Sequence, residues 1–600
     1  MRCLITDPQS GLLRDYHNPV AIETAATPSD VTPLLNLIAE KCQKDGVYAA
    51  CFISYEAAPA FDPCYSVKEY RSLPHPLVVC GLFTGFDLIT ADTLRKECLR
   101  ESCDVSSFIP ELDFKEYCRN FDHIREYLRQ GETYQVNATF RLTARYWGNP
   151  LVWFAQRSTE AIGLSATGFA KNLGYPAYFD MGDYHIASLS PELFFSLSAI
   201  DSSGDGMRNL VMKPMKGTAK PVPGKEAACA EALFNDKKNR AENLMIVDMI
   251  RNDCGRIAEP GSVQVSELFS VECYRSVLQM TSTVLSKTKK SFPEVLSASF
   301  PCASITGAPK IRSMDIISQI EGSPRGIYTG TICSIDPDGS AACNVAIRTA
   351  CFDESSHRVT YGTGGGITWQ SDVREEWNEC LLKTVPISSD FYVFDSLLLK
   401  DGTYSLLSRH LFRFLSSIRF FSIIDKNRSD EEIIQICQEC LAVVAHDKPD
   451  GIFKVKLIAR VTDGISAYAE VLSLLSSPCP IALSKQRVHS SNPFLAHKTS
   501  IRHMYTDALA GLCGVEDVLL INERGELTET TRANIVLELD GSRFTPPLNS
   551  GILPGVLRAD LLDRGELHEQ TLYKQDYLRA TRVFLINSVR GFVECLRMDQ

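Results

Sequence analysis

An α+β fold in two unequal parts is predicted by three features of the chain. Strand-like and helix-like segments are mixed throughout, a Pro/Ser/Asp-rich stretch interrupts them near residue 388, and 600 residues exceed what one hydrophobic core holds. In chain order, YAACFISYEA (48–57) is an apolar strand, and FKEYCRNFDHIREYLRQG (114–131) has helical spacing. YHIASLSPELFFSL (184–197) reads as strand, RAENLMIVDMIRNDCGRIA (240–258) as helix, and RVTYGTGGGITW (358–369) as strand. A charged helical run ends at Lys383, and FYVFDSLLLKDGTYSLL then reads as a strand pair turned by Asp401–Gly402, a strong hairpin signal. The expected domains are residues 1–385, with the chemistry in 115–384, a linker at 386–390, and residues 391–600.

The chain holds 62 Lys plus Arg against 73 Asp plus Glu, a net charge of −11, with 44% hydrophobic and 22% charged residues. That acidic balance argues against nucleic acid or an anionic membrane as partner, while leaving room for a local basic pocket. No apolar run approaches the ~20 residues that cross a bilayer. The N-terminal MRCLITDPQSGLLRDYHNP does not read as a secretory signal. Twenty-one cysteines without a repeating frame fit free thiols in a reducing cytoplasm. The one C-x-x-C, Cys437/Cys440, lies in the helix-like run SDEEIIQICQECLAVV without a second ligand pair, so ordinary helix cysteines outweigh a zinc or redox site.

Four segments carry candidate chemistry: KPMKGTAKP (213–221), NRAENLMIVDMIRNDCGRIAEPGSV (239–263), PCASITGAPKIRSMDIISQIEG (301–322) and YGTGGGITWQSDVREEWNECLLKT (361–384). In the last, the glycines of Tyr361–Gly366 let backbone amides approach an anion closely. Spacings of three and four place Glu376, Glu379 and Lys383 on one helix face, and Glu242 on another helix offers a third carboxylate. A few carboxylates completed by water and substrate oxygens suit Mg²⁺. Read alone, the same segment also fits a solvated acidic helix beside a tight turn.

Together these segments resemble the chorismate-utilising family: anthranilate synthase component I, aminodeoxychorismate synthase component I and the isochorismate synthases. The similarity runs from about residue 115 to 384. ISYEAAPAFDP (53–63) and GETYQVNATF (131–140) look most like the aminodeoxychorismate branch. The resemblance implies a layered β-sandwich and helix domain binding chorismate, with Mg²⁺ held by Glu242 and Glu379 and Glu376 close by. It implies that Arg348, Tyr328 and the Gly364–Gly366 amides grip the enolpyruvyl carboxylate, that Thr306 and Gly217–Thr218 line the ring, and that Lys383 contacts substrate. Two departures stand out: Ala303 replaces a usual Gly, and Gln279 in VLQMTSTV stands where many relatives carry His.

Lys216 separates the branches, because anthranilate synthases typically read P-I-A-G-T where aminodeoxychorismate synthases read P-I-K-G-T, and this chain reads PMKGT. Desolvation and a neighbouring cation favour the neutral, nucleophilic form of a lysine amine. The implied route has Lys216 attack C2 of chorismate and expel the C4 hydroxyl. Ammonia then adds at C4 and displaces the lysine. No G-x-C-x-G-type nucleophile turn is present, so the resemblance implies a separate glutamine amidotransferase subunit, or free ammonium.

In the second part, SRHLFRFLSSIRFF (408–421), FLAHKTSIRHMY (494–505), VLLINERGELTETTRANIVLELDG (518–541) and PPLNSGILPGVLRADLL (546–562) form an ordered set. The set resembles the fold-type IV pyridoxal-phosphate enzymes: branched-chain aminotransferases, D-amino acid transaminases and 4-amino-4-deoxychorismate lyase. It implies a two-lobed α/β domain in which Lys498 forms the Schiff base with pyridoxal 5'-phosphate and Glu529 pairs with the pyridinium nitrogen. Arg413 and the amides near Gly555 and Val556 would bind the phosphate. Leu557 stands where relatives often have Thr, which removes one hydroxyl contact and disfavours a transaminase.

The two halves then form consecutive steps, from chorismate to 4-amino-4-deoxychorismate and on to 4-aminobenzoate and pyruvate, toward folate. The expected setting is the cytoplasm, with a homodimer through the second domain. The alternatives are an anthranilate synthase component fused to an aminotransferase, and a second domain that only docks a glutaminase.

Overall fold

The computed structural model describes residues 1–161, 174–200, 205–219, 221–222, 224–273, 278–473 and 475–598. Two compact units emerge, one of residues 1–103 and 110–388, the other of residues 104–109 and 389–600. The expected second domain therefore gains six residues from far upstream. Ser389 Oγ donates to Val105 O at 3.0 Å and Ser107 Oγ to Phe391 O at 3.4 Å, contacts that no linker signal reveals. No helix among the described residues is long and apolar enough to cross a membrane.

The elements that matter in the first unit are β1 (Tyr48–Ile53), β2 (Gln135–Gly148), β3 (Met215–Ala219), α1 (Lys237–Gly255), β4 (Leu278–Thr288), β5 (Arg358–Ile367) and α2 (Val373–Leu382). One sheet contains β2 and β5, paired antiparallel from Arg358↔Arg145 to Ile367↔Val136. A second sheet contains β1, β3 and β4. The period-2 alternation of β1 explains the layering. Ala50 and Phe52 face the core shared with Phe179 and Ile186 of the first sheet. Ala49, Cys51 and Ile53 face a core shared with Leu35, Ile38, Ile246 and Val247 from helices. Fully burying a side chain of the Ile or Phe kind contributes about 1.5–3 kcal/mol, so these layers dominate the fold's stability.

Across the second sheet four cysteines stand side by side. Cys343 pairs with Cys333, Cys333 with Cys51, and Cys51 with Cys80. All four are essentially inaccessible. Burial pushes the thiols of Cys80, Cys333 and Cys343 up, and the adjoining Cys333 thiol, together with burial, does so for Cys51.

Two buried cations join the motif segments. Lys310 Nζ bonds Asp253 Oδ2 at 3.0 Å and Ser299 O at 2.9 Å, tying the 301–322 segment to α1. Arg325 donates to Glu321 Oε1 and to Asn137 O, both at 2.7 Å, and to Ile305 O at 2.9 Å, locking that segment to β2. Breaking such buried pairs costs about 3–5 kcal/mol.

The second unit contains β6 (Val393–Lys400), α3 (Leu407–Phe421), β7 (Ile452–Arg460), β8 (Gly464–Val471), β9 (Leu527–Thr530) and α4 (Val556–Asp563). The predicted hairpin is present: Lys400 pairs with Thr403, and Asp401 and Gly402 both have positive φ, +48° and +73°. A small sheet holds β6, β7 and β8, and a larger one holds β9. This is the two-lobed arrangement expected. Cys437 and Cys440 lie on the helix Asp430–Asp447 as free thiols, and Cys440 Sγ donates to Ile465 O at 3.6 Å.

Candidate active sites

The first site is built where β3 and β5 approach α1 and α2. The pairing of β3 with β4 shifts register between Met215 and Thr218, an irregularity that re-aims Lys216. Gly217 takes φ +93°, and a methyl there would stand 3.0 Å from Asn239 Cβ in the first turn of α1. The glycines of β5 serve space rather than φ. A methyl on Gly366 would lie 2.1 Å from Gln135 Nε2 and 3.0 Å from Lys216 Nζ, and one on Gly365 would lie 3.0 Å from Glu376 Oε2.

These glycines lie in a strand, as the sequence predicts, paired with Thr139, Ala138 and Asn137 of β2. On their other edge the neighbouring strand Thr349–Asp353 pairs only as far as Tyr361. Lys383 Nζ donates to Gly364 O at 2.7 Å on that side, and strand alternation turns the peptide groups of Gly366 the same way.

The three carboxylates share one neighbourhood. Burial pushes Glu242 up, reinforced by Glu376 and Glu379 and opposed by Lys216 and Lys238. Burial also pushes Glu376 up, although Ser371 Oγ donates to its Oε1 at 2.7 Å. Lys383, 2.9 Å away, holds Glu379 down. The carboxylates interact without forming a ready-made cage: among the described residues no three His, Cys, Asp or Glu side chains gather as a metal-holding cluster. Lys238, 3.6 Å from Glu376, and Lys383 instead serve as their counter-charges. The mutual repulsion is what a divalent cation relieves, so the donor chemistry fits Mg²⁺.

The remaining expected residues divide. Tyr328 packs its ring on Gly362, where a methyl would stand 2.1 Å from Cγ. Arg348, at φ +50°, lies near enough to Tyr361 to hold down the rise that burial causes in its hydroxyl pKa. Thr218 Oγ1 meets Gln279 Oε1 at 3.4 Å, so the departure at 279 adjoins the lysine strand. Thr306 does not present its hydroxyl to a ligand: it is fully buried and donates to Cys302 O at 3.1 Å.

Two residues went unnoticed in the sequence. Gln135 is 1% exposed and, among the described residues, neither amide atom has a hydrogen-bond partner, though it faces Gly366. Glu192 is buried and pushed up to about 7 by burial, against the Ser304 hydroxyl, which donates to it at 2.7 Å, and the charge of Lys216. Gln135 opens β2 and Glu192 directly precedes the strand Leu193–Leu197, so a polar residue at the start of an apolar run was the available signal.

The second site is a cavity of about 400 Å³ lined by Lys498, Glu529, Arg413, Gly555 and Val556 together. Burial, and then the charge of Arg413, lowers the Lys498 amine to about 8. Glu529 is pushed up to about 7 by burial, although Tyr505 Oη, Asn534 Nδ2 and Leu553 N donate to it at 2.9, 3.0 and 3.2 Å. Arg413 is clamped by Asp395, with Nε to Oδ2 at 3.0 Å and Nη2 to Oδ1 at 2.6 Å. Gly555 caps α4, and a methyl there would strike Asn534 Oδ1 at 1.8 Å. Leu557 packs against the adjoining apolar cluster. A buried lysine of lowered pKa, a carboxylate fixed by three donors, and a helix N-terminus beside an arginine fit pyridoxal phosphate.

The folds and sites thus define a two-centre protein, with one unit built for anionic ligands and the other for an amine-linked, phosphate-bearing cofactor. Residues 26–389 match the chorismate binding enzyme family, and the chain belongs to that family. Residues 392–597 match amino-transferase class IV. An aminodeoxychorismate synthase from Streptomyces griseus is 38% identical over 275 residues, 45% of this chain and 35% of that protein. An anthranilate synthase component 1 from Synechocystis sp. is 36% identical over 267 residues, 43% of this chain and 50% of that one. The chain therefore spans a third to a half of the length of these relatives. A solved structure, a putative 2,3-dihydroxybenzoate-specific isochorismate synthase from Bacillus anthracis, shares the fold at 15% identity and TM-score 0.50 over 64% of this chain and 94% of that one.

Proposed function

We propose that the first unit aminates chorismate at C4 and that the second eliminates pyruvate from the 4-amino-4-deoxychorismate formed, giving 4-aminobenzoate. The observation that carries this reading is Lys216, a residue of β3 whose Nζ would stand 3.0 Å from a methyl placed on Gly366 of β5. Relatives of both nitrogen regiochemistries are almost equally similar, so the lysine is what favours C4.

In this reading neutral Lys216 Nζ bonds to C2 as both ring double bonds shift and the C4 hydroxyl leaves. Glu192, about half protonated at pH 7, gives its proton to that leaving oxygen. Ammonia from a separate glutaminase, or free ammonium, adds at C4 and loses a proton. Both double bonds return and Lys216 departs as the amine. Gln135, with its amide unpaired, orients the incoming nitrogen or the substrate. Glu242 and Glu379, with Glu376 close by, would hold Mg²⁺ against a substrate carboxylate.

In the second unit, bound pyridoxal phosphate would supply an electron sink. Arg413 and the α4 amides would hold its phosphate, and Glu529 its ring nitrogen. Lys498 would take the C4 proton, and its lowered pKa makes a neutral amine accessible near pH 8.

The test mixes the chain with chorismate, Mg²⁺, ammonium and pyridoxal phosphate, and identifies the aromatic product by chromatography. 4-Aminobenzoate with pyruvate is expected. 2-Aminobenzoate would overturn the role of Lys216. Accumulated 4-amino-4-deoxychorismate would overturn the second step alone.

A further inference from the structure

The second cavity carries more positive charge than its cofactor accounts for. Besides Arg413 and Lys498, it is lined by Lys454, Lys456, Arg502, Arg532 and Arg590, with Glu529 the sole carboxylate among its lining residues. Arg502 donates to Thr531 O and stacks 4.7 Å over the Tyr505 ring. Arg590 donates to Ser473 O at 3.0 Å and Ser473 Oγ at 3.1 Å.

Lys454 and Lys456 differ from these. They alternate on β7, hence share one face, and both reach a single carboxylate, Glu470 on β8, at 2.9 Å each. Both lysines line the cavity and Glu470 does not. A cross-strand ion pair needs one lysine, so the second leaves a positive charge at the cavity wall. The Phe394 ring neighbours both the reacting lysine and this pair, with Lys498 Nζ 5.4 Å and Lys456 Nζ 6.0 Å from its centroid, so the two ammonium groups lie within about 11 Å of each other in one cavity.

We propose that Lys454 and Lys456, backed by Glu470, form a subsite for a substrate carboxylate remote from the reacting amine. The subsite selects a ring dicarboxylate over a monocarboxylate amino acid. As the substrate identity rests on the elimination reading above, binding and turnover are measured separately.

The full chain loaded with pyridoxal phosphate is titrated with isophthalate, a rigid dicarboxylate that cannot react, and with benzoate. Binding is read through the cofactor's absorbance, which reports the second cavity alone. Lys454→Met/Lys456→Met should weaken isophthalate about tenfold and benzoate less than about twofold. Lys454→Arg/Lys456→Arg should keep the preference, and Glu470→Gln, which frees both ammonium groups, should tighten isophthalate. An unchanged cofactor spectrum and melting temperature establish that the double Met variant is folded. A preference that survives in a folded double Met variant overturns the subsite, as does Glu470→Gln weakening isophthalate as much as the lysine loss. Wild-type chain that releases no pyruvate from 4-amino-4-deoxychorismate, yet loses its dicarboxylate preference in the variant, overturns the elimination reading and leaves the subsite standing.

Discussion

The two lysines that carry the proposed chemistry sit in opposite surroundings. Lys498 lies in a cavity walled by cations and apolar rings, where burial and Arg413 lower its amine to about 8. Lys216 lies among Glu192 and Glu242, which burial pushes up against its charge, and Glu379, which Lys383 holds down with its help. The second site is preformed for a large anionic cofactor. The first gathers Glu242, Glu376 and Glu379 with Lys216, Lys238 and Lys383. In the proposed chemistry one lysine is activated by desolvation and the other by position.

The largest test of this contrast is Lys498→Ala, expected to lower pyruvate release from supplied 4-amino-4-deoxychorismate by about 10,000-fold while leaving C4 amination intact. Lys216→Ala should do the reverse, cutting amination by about 1,000-fold with elimination untouched, measured as 4-amino-4-deoxychorismate formed from chorismate and ammonium. Loss of both activities in either variant would mean that the sites are not independent.

The glycines sharpen the comparison. Gly366→Ala drives a methyl into Gln135 and toward Lys216, and should cost the first activity about 100-fold. Gly555→Ala strikes Asn534 and should weaken cofactor retention by a similar factor, read as loss of absorbance on dialysis. Smaller effects belong to pH. A carboxyl at about 7 donates a proton only below that value, so amination should fall as pH rises through 7, and Glu192→Gln should flatten that limb while slowing the reaction about tenfold. The folded-state pKa of Glu192 is raised, so its contribution to stability is present below the ordinary carboxylate range and lost as pH rises through about 7. Capture of pyridoxal phosphate needs the neutral amine and should quicken as pH rises through about 8.

Much of this was legible before the fold. The hairpin at Asp401–Gly402, the helix around Glu242, and the pair Lys498 and Glu529 follow from local turn chemistry and fixed motifs. What escaped notice depends on distant contacts. Gln135 and Glu192 matter because the fold buries them at the starts of strands, and a polar residue at the start of an apolar run looks ordinary until its partners are known. Thr306 reads as a ligand residue until its hydroxyl is found on Cys302 O. The glycines of β5 suggest amides open to an anion, and the structure adds the crowding of Tyr328, Gln135 and Lys216 against that strand.

The row of Cys343, Cys333, Cys51 and Cys80 makes the second sheet a clock for its own opening. Protonated and shielded, these thiols resist alkylation while the strands stay paired. Each labelling event then records a moment when the layer parted. In excess reagent, the appearance of modified Cys51 or Cys333 peptides measures the opening rate of that layer without any denaturant. A labelling rate that stayed constant while global stability was changed by substitution would mean that the sheet breathes locally instead of unfolding as a whole.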